Sequence, residues 1–181
     1  MDHDLRFPIG EFEAPETIDD AQVARWVDDI ERLPARLRSA VRGLDAGQLA
    51  TRYRPGGWTV AQVVHHVADS HLNSYARFRL ALTEDRPAIR PYDEAAWGEL
   101  PDARDLDVEA SLALVEALHA RWVELLKALG PEEWDREFFH PESGEVVPLR
   151  RNAGIYSWHG RHHLAHITSL AAREDWGVSS G

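Results

Sequence analysis

The chain has 181 residues, is 44% hydrophobic and 28% charged, and carries a formal net charge of −11. That length suits one domain with a substantial core, while the charge, with Lys and Arg dispersed, argues against nucleic acid or an anionic membrane as partner. Cysteine is absent, which excludes a disulfide, a thiolate metal site and a cysteine nucleophile, so any thiol chemistry needs the thiol to arrive as substrate.

Residues 1–17, with Pro8, Gly10 and Pro15, read as an extended arm without the apolar run of a secretory signal. No later stretch approaches the ~20 apolar residues of a membrane helix, and a cytoplasmic protein is expected. From 18 to 43 apolar residues recur at threes and fours, predicting a helix that Pro34 should kink or divide. Thr59, with Gln62 three residues on, has the form of a capping box opening a second helix that runs to about residue 84.

The connection 85–106 holds Pro87, Pro91 and Pro101 and promises one helical turn, at 93–97. Connections so long usually cross over the fold or carry function. A third helix begins near Asp107 and is closed by Gly130-Pro131. Ser143-Gly144, between short apolar runs, suggests a small hairpin, and a fourth helix spans 152–173. With no repeat or second domain in sight, the fold class expected is all-α. Four long amphipathic helices pack as a bundle, and the long crossover between the second and third permits an order other than simple up-and-down.

Four of the ten histidines crowd into the last helix, in Trp158-His159-Gly160-Arg161-His162-His163-Leu164-Ala165-His166. Residues four apart on a helix share a face, so His159 and His163 can point at one ion, as can His162 and His166. Catalytic zinc usually takes three protein ligands and keeps a fourth position open. The second helix supplies His65, His66 and His71. A helical wheel sets His66, Ser70, Asn73 and Arg77 on one polar strip beside the core stripe, turns His65 about 100° away at the helical period, and sinks His71 among apolar positions as a hydrogen-bonded core residue. On the last helix His159, His163, His166 and Tyr156 share one face, with His162 off its edge. The wheel therefore favours His66, His159 and His163 as ligands. Asn73, Arg77, Tyr156 and His166 are candidates for the substrate pocket, and Asp69 for orienting an imidazole. A three-His site leaves Zn²⁺ or Ni²⁺ its full charge, enough to lower the pKa of bound water to about 7 or to deprotonate a thiol. Gly160 stands where a zincin HExxH helix would carry its catalytic Glu.

GGWTVAQVVHHVADSHLNSYARF, RPYDEAAW, WHGRHHLAHITSL and the opening RFPIGEFEAPE together resemble the YfiT-type branch of the DinB-like superfamily over nearly the whole chain. The resemblance implies a four-helix bundle with a crossover and one divalent metal per chain, zinc or nickel. Its three histidine ligands correspond here to His66, His159 and His163. Members are described as metal-dependent hydrolases or as thiol transferases of the bacillithiol type, and a homodimer is common among them. Where relatives can show three consecutive histidines, this chain has Arg161-His162-His163, with the H-x-x-x-H pair intact.

Three functions are open on this reading. The first is an enzyme whose metal activates a low-molecular-weight thiol for S-transfer to an electrophilic small molecule. The second is a hydrolase using the same ion to make hydroxide. The third is a bundle whose histidines bind metal without catalysis.

Overall fold

The computed structural model describes residues 4–105 and 107–177. Four long helices form the bundle: α1 (Asp20–Val41), α3 (Val60–Thr83), α6 (Val108–Ala128) and α8 (Leu149–Arg173), with the short helices α2 (Ala46–Leu49), α4 (Glu94–Trp97), α5 (Pro101–Arg104) and α7 (Pro131–Trp134) in the connections. Strands β1 (Glu137–His140) and β2 (Glu145–Pro148) pair antiparallel. Gly144, at φ 70°, makes the turn between them, a backbone conformation that favours glycine.

The long helices begin where capping chemistry satisfies their first N–H groups. The Asp19 side chain accepts from Gln22 N, Asp107 accepts from Glu109 N, and Thr59 and Gln62 close a reciprocal capping box at the head of α3. Pro34 does not divide the first helix: α1 is continuous from Asp20 to Val41. The residues flanking the proline explain this. Leu33 and Leu37 are 3% and 0% exposed, and burying two leucines at ~1.5–3 kcal/mol each offsets the ~3 kcal/mol that an interior proline costs.

The crossover between α3 and α6 holds two helical turns, α4 and α5, where the sequence promised one. It is anchored to the hairpin, since Ile89 N donates to Phe139 O at 3.0 Å and Phe139 N to Pro87 O at 2.9 Å. Around the bundle, α1 packs chiefly on α8 and α6, and α3 chiefly on α6 and α8. Two of the three consecutive pairs of long helices therefore lie across a diagonal, α1 from α3 and α6 from α8. The crossover carries the chain between the neighbours α3 and α6.

Two apolar clusters fill the interior. Trp26, Ile30, Phe78, Trp122, Leu126 and Phe138 lie in one, and Leu37, Val63, Val67, Val115, Ile167 and Leu170 in the other. A band of buried polar residues, including His66, His71, His119, Asn152, Ser157 and His163, belongs to neither. The N-terminal arm lies across α8, with the Trp158 indole N–H donating to Gly10 O at 3.0 Å and Phe12 packed against Trp26 and Trp158.

Candidate metal centre

The close packing of α3 and α8 brings the two histidine-bearing helices face to face. At residue 160 a Cβ would stand 2.5 Å from Leu33 Cδ2; glycine lets α8 approach α1 there. His65 faces the other way, its Nδ1 2.8 Å from Ser111 Oγ on α6.

Ligand atoms of His66, His159 and His163 all lie within 4.8 Å of one another. His66 Nε2 and His159 Nε2 are 3.1 Å apart, close to the ~3.3 Å that separates two nitrogens each about 2.0–2.1 Å from a tetrahedral ion. Burial first, then charge on His162 and His166, pushes His66 down to about 4. Burial likewise holds His159 and His163 well below the ordinary histidine range. All three are therefore neutral at pH 7, with lone pairs available. Uncharged, convergent imidazoles, two buried and that of His159 on a partly buried residue, without a thiolate or carboxylate among them, are a donor set that fits a divalent transition metal.

A second group, His162, His163 and His166, meets the same distance criterion. The two groups share His163, so both are filled together only if its ring bridges two ions as an imidazolate. His163 Nδ1 instead lies 3.4 Å from His166 Nδ1, and His166 Nε2 is 3.1 Å from Arg6 O. That places His166 behind a ligand. His162 is not off the edge of the inward face, as the wheel had it. It is 6% exposed, stacked on Trp158 at 4.4 Å, and its Nδ1 has no hydrogen-bond partner among the described residues.

The histidines open into a cavity of about 410 Å³ whose lining also includes Arg6, Phe7, Tyr53, Arg54, Trp58 and Glu94. Trp58 leans over His66 at 4.5 Å and Tyr53 stacks on His166 at 4.0 Å. Glu94 sits at the rim. The residue as a whole is solvent-exposed, yet partial desolvation of its carboxyl, then the charges of Glu142 and Asp93, raises its pKa. A larger groove of about 550 Å³ between α1 and α6 has no imidazole in its lining.

Of the residues expected to line the pocket, His166 does so. Tyr156 is buried beside it, its ring 5.4 Å from that of His159 and its hydroxyl 3.3 Å from Ser70 Oγ. Asn73 and Arg77 do not line the cavity. Seven residues carry Asn73 about 10 Å along α3 from His66, and its amide donates to Asp69 O at 2.9 Å. Arg77 lies instead near Tyr92, whose hydroxyl burial pushes up, and near His140, which burial first and then the Arg77 charge push down. Asp69 bonds no imidazole among the described residues; desolvation, then the charge of Asp102, raises its carboxyl.

His71 is fully buried and bonded at both nitrogens, Nδ1 to His119 Nε2 at 2.9 Å and Nε2 to His159 Nδ1 at 3.1 Å. Sequence reasoning missed His119, although its place on the apolar stripe of α6 between Val115 and Trp122 was the available signal. Tyr53 and Arg54, in the connection after α2, and Glu94, at the head of α4, left no such signal, because the chain's path sets their positions. No described helix is long and apolar enough to cross a membrane.

Residues 29–167 match the family model of the DinB superfamily. A Bacillus subtilis (strain 168) protein named "Putative metal-dependent hydrolase YfiT" is 51% identical over 172 residues, covering 95% of this chain and 97% of its own. A Bacillus mycoides (strain KBAB4) protein whose name also begins "Putative metal-dependent hydrolase" is 54% identical over 173 residues, 96% of this chain and 99% of its own. The solved structure of YfiT, described as having "an unusual four-helix bundle topology", superposes with a TM-score of 0.93 at 50% identity, covering 95% of this chain and 98% of that one. The chain belongs to the DinB superfamily, in its YfiT-type branch.

Proposed function

We infer that the protein is a metal-dependent hydrolase acting on a small electrophilic molecule. The observation that carries this reading is the convergence of three neutral imidazoles, His66, His159 and His163, within 4.8 Å at a cavity that also contains Glu94. A zinc or nickel ion held there would act as a Lewis acid, polarising a carbonyl-type oxygen and making a coordinated water or thiol acidic.

The protein's own groups supply the rest. Glu94 brings a carboxylate to the cavity that can act as a proton acceptor, the role for which no residue of the H-x-x-x-H segment is available. Trp58 and Tyr53 shield the imidazoles from bulk water, and Arg6 and Arg54 give the mouth positive charge suited to an anionic group on the substrate. Thiol transfer is the second reading, favoured by the position of Glu94 at the exposed rim. A thiol made acidic by a dication needs no close enzymic base.

Elemental analysis of untagged protein beside His163→Ala tests the centre: about one zinc or nickel per chain, lost in the variant, is expected, and equal amounts in both would sink it. For the reaction, nitrophenyl esters are offered with water alone, and monobromobimane with and without cysteine. Ester turnover that falls in Glu94→Gln supports hydrolysis. Turnover confined to the thiol pair would replace it with transfer.

A further inference from the structure

Residue 34 of an ideal helix would donate its N–H to the carbonyl of Ile30, but Pro34 has no N–H to give, and its ring crowds that carbonyl. The Ile30 carbonyl has a partner nonetheless, His119 Nδ1 of α6, at 2.7 Å. From it a line of imidazoles runs through His71 to His159. We propose that Pro34, the Ile30 carbonyl, His119 and His71 form a positioning relay that fixes His159 in one tautomer, its proton on Nδ1 and its Nε2 lone pair presented to the metal. The inference rests on the metal-dependent reading and adds to it the residues that prepare the ligand.

The argument is one of donors and acceptors. A carbonyl only accepts, so the proton of this contact belongs to His119 Nδ1. A neutral His119 then has a bare Nε2, which accepts from His71 Nδ1. His71 Nε2 is left bare and accepts from His159 Nδ1. His159 Nε2 is therefore unprotonated, and it faces His66 Nε2 at 3.1 Å. One proton per ring satisfies every contact; a fourth would fall on the very atom needed for the metal. His163 is served by a shorter chain of the same kind, in which His166 Nε2 donates to Arg6 O and its Nδ1 faces His163 Nδ1. Ligating histidines commonly donate to a carboxylate. Here both chains end on neutral backbone carbonyls, so each ligand is oriented and no negative charge is added beside the ion.

The test uses the full chain, labelled with nitrogen-15 at histidine and free of metal, with zinc affinity measured by competition against a chromophoric chelator. His119, His71 and His159 are expected as Nδ1–H tautomers. His119→Phe should lose that fixed pattern at His71 and His159 and bind zinc roughly 10- to 100-fold more weakly. His119→Gln, whose amide oxygen can still accept from His71, should rescue affinity to within a few fold. Pro34→Ala restores a helical donor to Ile30 O and should weaken zinc binding about threefold. An Nε2–H tautomer at His159 in the parent protein, or wild-type affinity in His119→Phe, overturns the relay. Unchanged affinity in Pro34→Ala removes the proline from it. Should the parent protein bind no zinc, the functional reading fails, while the tautomer spectra still decide the relay.

Discussion

The interior holds two kinds of buried surface that respond to opposite rules. In the apolar clusters, residues such as Phe78 and Leu37, both 0% exposed, contribute by packing and have no required direction. In the histidine band, His71 and His119 are as deeply buried, but each nitrogen has an assigned partner. A buried polar network is stable only when its members are satisfied. The first region holds the fold together; the second spends part of that stability on geometry.

The sharpest break between the two comes from Phe78→Ala, which should cost about 3–5 kcal/mol in denaturant melts while leaving metal stoichiometry intact below the new midpoint. Loss of metal in the folded variant would mean that the regions are not separable. Acid should act in the reverse sense. His119 is pushed by burial to about 4, below the ~6.5 of an unfolded histidine, so the unfolded state binds more protons as pH falls. Stability contributed by this group is fully present above about 6.5 and declines as pH drops towards 4, by about 3 kcal/mol. Metal-free protein should show that decline in melts across the interval, and His119→Phe should show less of it.

Gly160→Ala brings a methyl within 2.5 Å of Leu33 Cδ2 and should cost about 1–3 kcal/mol through displacement of α8 from α1, visible as a lower melting temperature and weaker metal binding together. The smallest effect belongs to the surface. Lys127 and Glu31 pair at 2.7 Å with both side chains about half exposed, and Lys127→Ala should change stability by less than about 1 kcal/mol. A larger change would show that this edge of the bundle carries more of the fold than its exposure implies.

The apolar period of the sequence was enough to expect four long helices, because those residues are the ones that meet in the core. It did not show that Pro34 would sit inside an unbroken helix, since the leucines that compensate act through tertiary packing. Histidine spacing pointed to His66, His159 and His163, for helical geometry alone brings such residues onto facing sides. The same reasoning carried Asn73 and Arg77 too far, because a shared strip on a wheel says nothing about distance along the axis. His119 looked like one more core residue until its partners on α1 and α3 were in place.

His66 and His159 are 93 residues apart in sequence, and the helices that carry them meet only when α8 has docked. A nascent chain emerging from the ribosome thus offers no assembled site until α8 has been synthesised. Its early portion has only scattered histidines with which to take up metal. The order of helices therefore acts on biosynthesis: the ion is expected to load only after α8 has docked, and to find the ligands already in place.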